Sequence, residues 1–155
     1  MADIDMELDV VGIKTRPEII AGIVAIEKKA FPKHESMAND ILKEATTSGN
    51  TFLVVTKSDC VVGYVSFSRN SVVGHIRKLA VALSSRRQGI GRYLMQQAIL
   101  RMKSAMSISL HVGVERENAF ALYKSLGFQI QHLRKDYYRV GRDAYFMELE
   151  SEAFQ

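Results

Sequence analysis

The sequence has few of the residues that cross-link a chain or carry it into a membrane. It contains one cysteine, Cys60, so neither an internal disulfide nor a cysteine-rich metal site is expected. No apolar run approaches the roughly 20 residues of a membrane span. The acidic segment from Met1 to Val10 is unlike a signal sequence. These absences favour a cytoplasmic or nuclear location.

Linker-like features are also scarce. The two prolines, Pro17 and Pro32, both lie in the first quarter of the chain, and there are no repeats or low-complexity tracts. With 47% hydrophobic and 25% charged residues, the composition is that of a globular chain and not of a disordered one. We therefore expect residues 1–155 to form a single domain.

A third absence concerns the sign of the charge. From Cys60 to Val114 there is no Asp or Glu, whereas eight cations fall in the same stretch. They are Arg69, Arg77, Lys78, Arg86, Arg87, Arg92, Arg101 and Lys103. Such a block predicts a surface that attracts anions, although a solvated basic face would give the same pattern.

Hydrophobic periodicity predicts the element order βααβββαβαββ. Strands are expected near residues 8–13, 51–56, 60–68, 74–83, 107–114, 128–133 and 144–149, and helices near residues 16–31, 36–47, 89–104 and 118–126. The strand, crossover helix and strand between residues 74 and 114 indicate a parallel pair inside a mixed sheet. The fold class is therefore α/β.

The chemistry is clearest where a predicted strand turns into a helix. The segment from Arg86 to Arg92 has the sequence Arg-Arg-Gln-Gly-Ile-Gly-Arg. Gly89 and Gly91 allow a ligand to approach the backbone, and the first N–H groups of a helix are unpaired, so a phosphate or pyrophosphate fits. The glycine spacing differs from those of the P-loop and the Rossmann turn, which disfavours nucleotide hydrolysis and dinucleotide redox chemistry. A structural turn with basic residues is the alternative.

This loop resembles the pyrophosphate loop of the GNAT superfamily of N-acetyltransferases, whose pattern Gln/Arg-x-x-Gly-x-Gly/Ala is matched by Arg86, Gly89 and Gly91. Residues 75–81, 110–112, 121–128, 137–138 and 143–145 resemble the RimI-like branch, which acetylates protein N-terminal α-amines. The resemblance covers the chain from about residue 31 to 149. It implies the GNAT fold, a mixed and mostly antiparallel sheet with a central splayed pair of parallel strands, flanked by helices.

The resemblance implies acetyl-CoA as cosubstrate, bound between the splayed strands, and no metal. Strand backbone groups would pair with the pantetheine arm, and one N–H would polarise the thioester carbonyl. The implied cofactor-binding residues are Leu79, Ala80, Val81, Arg86, Arg87, Gln88, Gly89, Ile90, Gly91, Arg92, Asn118 and Tyr123. RimI-like members commonly have Asn seven residues before this tyrosine. Here that position is Arg116, and Asn118 follows two residues later.

The catalytic residues implied by the resemblance are Tyr123, His111 and His75. Tyr123 would donate a proton to the leaving thiolate, and His111 would act as base through water, for which its ordinary pKa near ~6.5 is suited. His75 would share the proton relay or support His111. Glu27 and Glu35 are alternative bases, although exposed positions are commoner for such residues. Without the resemblance, Tyr123 is equally typical of a half-buried helix residue, and a hydrogen-bonded strand histidine is the favoured interpretation of His111.

The acceptor-binding residues implied by the resemblance are Phe31, Pro32, Tyr137 and Tyr138, and we add Arg77, which replaces a small, polar or apolar residue of the family, as a further candidate. The Phe-Pro turn and the tyrosine pair would clamp a peptide backbone with little demand on its sequence. Arg77 and Lys78 are adjacent, so strand alternation predicts that their side chains leave on opposite faces. The one that reaches the acceptor groove would favour acidic N-terminal peptides.

We therefore expect an enzyme that transfers acetyl directly, in a ternary complex, from acetyl-CoA to a protein or peptide N-terminal α-amine. The alternatives are a lysine side chain or small amine as acceptor, and a non-catalytic acyl-CoA-binding module. A specific nucleic-acid binder is disfavoured because no aromatic platform accompanies the cations. An auxiliary subunit or the ribosome is a candidate partner, and no membrane partner is expected.

Overall fold

The computed structural model describes residues 6–153, which form seven strands and four α-helices in the predicted order. The strands are β1 (Met6–Val10), β2 (Asn50–Lys57), β3 (Cys60–Arg69), β4 (Val73–Val81), β5 (Ser107–Gly113), β6 (Gln129–Arg139) and β7 (Arg142–Glu150). The helices are α1 (Pro17–Ala30), α2 (Ile41–Thr46), α3 (Ile90–Arg101) and α4 (Glu117–Ser125). Residues 1–5 of the acidic N-terminal segment lie outside the described residues.

The sheet has the strand order β1-β2-β3-β4-β5-β7-β6, and within residues 6–153 only β4 and β5 pair in parallel. Their ladder runs from Val73 opposite Ser107 to Ile76 opposite Leu110 and then stops. Both strands continue beyond it, β4 for five residues and β5 for three. The predicted α/β fold class and the splayed central pair are therefore confirmed.

Two hydrophobic clusters cover opposite faces of the sheet. On one face, α3 and α4 pack through residues that include Leu94, Met95 and Tyr123. On the other face, α1 and α2 pack through Ile23 and Ile41. Within residues 6–153, no helix has both the length and the apolar character that a membrane crossing requires.

The predicted second helix, residues 36–47, is wrong at its start. The chain instead forms a 3₁₀ turn over Lys33–Glu35, and α2 begins only at Ile41. The N–H of Met37 donates to the Glu27 carboxylate at 2.8 Å, and the N–H of Ala38 donates to the hydroxyl of Ser36 at 3.1 Å. These side-chain bonds compete with helical ones and hold residues 31–37 as a loop. We call residues 31–37 the acceptor loop.

A β-bulge in β4 changes the direction of its side chains. Ser66 of β3 lies opposite Lys78 and Phe67 lies opposite Ile76, so Arg77 has no partner in the register. A bulge inserts one extra residue and shifts the alternation of faces. Arg77 contacts α2 and Lys78 contacts α1, which cover the same face of the sheet. The prediction that these side chains leave on opposite faces is therefore wrong.

The terminal hairpin is longer than predicted. β6 extends to Arg139, because Arg139 pairs with Arg142 of β7 after a register irregularity. Tyr137 and Tyr138 thus belong to the end of a paired strand, close to the turn at Gly141. This position holds the tyrosine pair at the rim of the opening between β4 and β5.

Candidate active site

A cavity of about 540 Å³ opens where β4 and β5 separate. Its lining includes eight of the predicted site residues, which are Phe31, His75, Arg77, Leu79, His111, Tyr123, Tyr137 and Tyr138. The remaining predicted residues, Pro32, Ala80, Val81, Asn118 and residues 86–92, do not line this cavity. Residues from β4, β5, α4, β6 and the acceptor loop therefore meet at one place.

His111 lies in an aromatic setting within this cavity. Its ring stacks on Tyr137 with centroids 4.2 Å apart and planes 9° apart, and the His75 ring approaches edge-on at 5.6 Å. Burial, assisted by His75 and Arg134, lowers the pKa of His111 to about 4. Neither ring nitrogen has a hydrogen-bond partner among the described residues. The imidazole is thus neutral at physiological pH and both nitrogens are uncommitted.

His75 is fixed by a neighbour on β5. Its Nδ1 lies 2.8 Å from the hydroxyl oxygen of Ser109. Burial and the charge of Arg77 lower the pKa of His75 as well. Ser109 was absent from the predicted site, although its position two residues before His111 places both side chains on one face of the strand. His75 is therefore in ring contact with His111 on one side and hydrogen-bonded to the Ser109 hydroxyl on the other.

Tyr123 is buried on α4, where its ring meets Phe128 edge-on at 6.1 Å. Burial, with a smaller contribution from Tyr138, raises the pKa of its phenol. The hydroxyl therefore stays protonated throughout the physiological range and is suited to donate a proton, as the resemblance implies.

The glycine loop has the geometry expected of an anion site. Gly89 caps α3 with φ +79°, and a Cβ built there would meet no atom within 4 Å. Among the described residues, the first backbone hydrogen bond of α3 runs from the N–H of Tyr93 to the Gly89 carbonyl at 3.0 Å. The preceding amides of the turn are thus available to a phosphate. Arg86 and Arg87 are exposed beside them.

Gly91 serves a different purpose from Gly89. A Cβ at Gly91 would lie 3.4 Å from Leu122 and 3.7 Å from Val81, so it would face α4 and β4. Arg92, the next residue, donates to the hydroxyl of Ser125 at 2.7 Å. This part of the loop therefore joins α3 to α4, and Gly89 provides the open approach.

The acceptor loop and the tyrosine pair form the two rims of the cavity. The Phe31 ring has the Lys78 ammonium 3.7 Å from its centroid and the Arg116 guanidinium 4.7 Å away. Tyr137 and Tyr138 stand edge to face with centroids 4.9 Å apart. Burial, together with the Glu35 carboxylate, raises the pKa of Tyr138 to about 12. Both tyrosines line the same cavity as Phe31.

The two cations of the bulge are paired inside the protein. Arg77 donates to the Glu44 carboxylate, and Lys78 Nζ lies 3.2 Å from the Glu27 carboxylate. Both side chains line the cavity, but neither is an isolated positive charge. The expected attraction of acidic peptides by a free cation at Arg77 or Lys78 therefore has no support in the geometry.

Glu27 is fully buried, so its expected exposed position on the helix is wrong. Its oxygens accept from the Tyr64 hydroxyl, the Met37 N–H and Lys78. Glu27 is thus engaged inside the protein and does not line the cavity, so the geometry gives no support for it as the base. A signal was present in the sequence, because Ile19, Ile23 and Glu27 follow at intervals of four and share one helix face.

Glu35 is part of a charge network at the cavity wall. Its carboxylate lies 3.1 Å from His34 Nε2, 3.1 Å from Arg142 and 3.9 Å from Arg116. The side chain is 5% exposed. Arg116 also donates to the Ala30 carbonyl at 3.2 Å, across 86 positions of sequence. Arg116, at the position where relatives carry Asn, thus contacts the acceptor loop, whereas Asn118 is exposed on α4.

The comparisons with known proteins identify the family. Residues 20–128 match the model described as the acetyltransferase (GNAT) family. The chain belongs to this family. It is therefore an acetyl-CoA-dependent N-acetyltransferase. The open turn at Gly89 and the ends of β4 and β5, which no longer pair with each other, fit that cosubstrate. No cluster of potential metal ligands occurs in the described part of the acetyltransferase.

The relatives agree with the expected RimI-like branch. The acetyltransferase is 33% identical over 147 residues to the N-terminal acetyltransferase complex ARD1 subunit homolog of Dictyostelium discoideum, covering 88% of this chain and 72% of that protein. It is 33% identical over 142 residues to an N-alpha-acetyltransferase of Sulfolobus acidocaldarius, covering 81% and 83%. The crystal structure of Ard1 from Thermoplasma volcanium superposes with a TM-score of 0.77 at 25% identity, covering 95% and 98%.

Proposed function

We propose that this acetyltransferase modifies the N-terminal α-amine of proteins or peptides by direct transfer within a ternary complex. The observation that carries the proposal is the single cavity between β4 and β5, in which Tyr123, His111 and His75 meet the acceptor loop and the tyrosine pair. Acetyl-CoA supplies the activated acetyl group and the thiolate leaving group.

The acid and base roles follow from the environments of the two groups. The amine nitrogen forms the new C–N bond as the C–S bond breaks, so the amine must lose a proton and the sulfur must gain one. His111 is neutral and its nitrogens are uncommitted, so it takes the amine proton, directly or through water. Tyr123 stays protonated and supplies the proton to sulfur.

A peptide acceptor suits the rims of the cavity better than a small polyamine does. Phenol hydroxyls at Tyr137 and Tyr138 can bond a peptide backbone, and the Phe31 ring provides an apolar wall. A polyamine would favour unpaired carboxylates, whereas Glu27, Glu35 and the nearby cations neutralise one another. The names of the Dictyostelium and Sulfolobus relatives support the same acceptor class.

The test is a mass-spectrometric acetylation assay with matched acceptors. One peptide has a free N-terminus and no lysine, a second has a blocked N-terminus and one internal lysine, and spermidine is the third acceptor. We expect acetyl only on the free α-amine. Acetylation of the blocked peptide or of spermidine alone would favour the lysine or small-amine alternative. Binding of acetyl-CoA without any turnover would favour the non-catalytic module.

The partners and the location of the protein remain predictions, and the location rests on the absences in the sequence and not on the resemblance. The Dictyostelium relative is named as the subunit of a complex, which supports testing an auxiliary subunit or the ribosome as a partner. Co-purification of the tagged protein with ribosomal subunits, with and without a salt wash, would separate a stable partner from an electrostatic one. A cytoplasmic location is tested by fractionating the cells that produce the tagged protein.

A further inference from the structure

Lys78 makes its contacts with the acceptor loop and with Glu27, the buried carboxylate on α1 that also binds this loop. The side chain is 15% exposed, and its ammonium donates to the Glu35 carbonyl and to the Glu27 carboxylate. The Phe31 ring covers the ammonium from a third direction, with 3.7 Å between Nζ and the ring centroid. Two of the three N–H donors of Lys78 are therefore used inside the protein, and the ring packs against its charge. These contacts tie Lys78 to the acceptor loop and to Glu27.

Glu27 holds the far end of the same loop. The carboxylate oxygen that Lys78 contacts also accepts from the N–H of Met37 at 2.8 Å, and the other oxygen accepts from the Tyr64 hydroxyl. Glu27 is 0% exposed. Burying a charge costs free energy unless the charge is paired and fully hydrogen-bonded, so the side chains of Glu27, Lys78 and Tyr64 depend on one another.

Together the two residues hold the acceptor loop at three points. Phe31 is held through its ring, Glu35 through its carbonyl and Met37 through its N–H. All three of these residues line the cavity. The intervening backbone has a 3₁₀ turn of only three residues, so its own hydrogen bonds give little rigidity.

We infer that Lys78 is a positioning residue, which with Glu27 and Tyr64 forms a buried clamp that holds the acceptor loop in the shape needed to bind the acceptor. The inference rests on the proposed function in one respect, that residues 31–37 contact the acceptor. The clamp itself does not depend on the reaction. Its loss should loosen the loop and weaken acceptor binding, and it should leave the acetyl-CoA site intact.

The first test needs no catalysis. Hydrogen–deuterium exchange is measured on the wild type, Lys78→Met and the control Lys124→Met, which removes an exposed lysine from above the Phe120 ring outside the loop. We expect amides of residues 33–37 to exchange at least about tenfold faster in Lys78→Met, with α3 unchanged and the control like the wild type. Unchanged exchange in a folded Lys78→Met protein would overturn the clamp.

A double variant separates positioning from charge balance. Glu27→Gln with Lys78→Met removes both charges, and the glutamine oxygen can still accept from Met37. We expect the double variant to regain thermal stability relative to Lys78→Met while its acceptor loop still exchanges fast, because the Glu35 and Phe31 contacts need the ammonium. Exchange restored to the wild-type rate would mean that Lys78 only neutralises Glu27, which contradicts the inference.

Kinetics test the consequence for the acceptor. In Lys78→Met and the double variant we expect KM for the peptide to rise about tenfold, with KM for acetyl-CoA unchanged and kcat altered less than about threefold. Unchanged peptide KM with a loosened loop would reduce the clamp to a structural role. A wild type that acetylates no peptide would refute the proposed function, while the exchange data would still decide the clamp.

Tyr64→Phe provides a milder version if Lys78→Met fails to fold. It removes one hydroxyl from Glu27 and keeps the ring that stacks on Phe52 at 5.2 Å. We expect the exchange of the loop amides and the KM for the peptide both to rise, each by less than about tenfold, with KM for acetyl-CoA unchanged. A destabilised Tyr64→Phe protein with normal exchange at residues 33–37 would contradict the inference.

Discussion

The two sides of the cavity reach their shapes by different means. On the acetyl-CoA side, the glycine loop at residues 86–92 is one continuous segment. In it Gly89 has φ +79°, and the amides that follow precede the first helical hydrogen bond. On the acceptor side, Lys78 of β4 holds the acceptor loop through the Glu35 carbonyl, 43 positions away along the chain. Arg116, just before α4, holds the end of α1 next to that loop through the Ala30 carbonyl, 86 positions away. A turn built from backbone tolerates changes in neighbouring side chains, whereas a loop held by buried charges depends on each partner.

This contrast predicts which substrate each substitution affects. Changes at the glycine turn should act on acetyl-CoA, and changes in the clamp should act on the acceptor. Tyr123 lies between the two sides and should affect neither affinity strongly. The expected effects are given from the largest to the smallest.

Tyr123→Phe should lower kcat by about 10²–10⁴-fold, because it removes the proton donor for the leaving thiolate. The affinity for acetyl-CoA, measured by calorimetry, should change little since the buried ring remains. Tyr145→Phe is the matched control, as Tyr145 lies on β7 outside the cavity. A normal kcat in Tyr123→Phe, with the chemical step shown to be rate-limiting, would assign Tyr123 a purely structural role.

Gly89→Ala should weaken acetyl-CoA binding about tenfold. An alanine at φ +79° is strained by about 1–2 kcal/mol, and the backbone rotation that relieves this strain turns the amides away from the anion. Gly141→Ala is the matched control. Gly141 has φ +81° and equally open surroundings, but it lies in the turn between β6 and β7. Both variants should lose similar thermal stability, and only Gly89→Ala should lose affinity in calorimetry. Equal affinities in the two variants would remove the turn from the cofactor site.

The pH dependence should show a base that is neutral well below pH 6.5. Because its pKa is lowered to about 4, His111 is already deprotonated above about pH 5, and a ring nitrogen can then accept the amine proton. After correction for the neutral fraction of the acceptor amine, kcat/KM should change less than about twofold between pH 7 and 5.5. A base with the ordinary pKa would lose about eightfold over that range. Such a loss, absent in His111→Gln, would contradict the neutral, buried environment of His111.

The smallest expected effect concerns the charge of the acceptor. Because Arg77 and Lys78 are paired with Glu44 and Glu27, peptides with Asp or Lys at the second position should differ in kcat/KM by less than about threefold at 0.15 M salt. The comparison is repeated at low salt, where any free charge acts more strongly. A large preference for acidic peptides at low salt would show that one of these pairs opens when the acceptor binds.

The sequence by itself determined the element order, the parallel strand pair and the glycine turn, because these depend on local periodicity and on residues close together in the chain. The splaying of the strand pair was implied only by the resemblance to GNAT enzymes. The sequence also indicated eight of the 17 residues that line the cavity, mainly through the resemblance to GNAT enzymes. The face of Glu27 was readable from its four-residue spacing behind Ile19 and Ile23.

Only the tertiary structure decided how the charges are used. The bulge at Arg77 arises from the pairing of β4 with β3. It places the Lys78 side chain on the face of the sheet that α1 covers, where it contacts Glu27. Because the N–H of Met37 donates to the Glu27 carboxylate, the backbone does not form a helix from residue 36, and α2 begins only at Ile41. Strand alternation assumes a regular ladder and helix propensity assumes free backbone amides, and long-range contacts remove both conditions here.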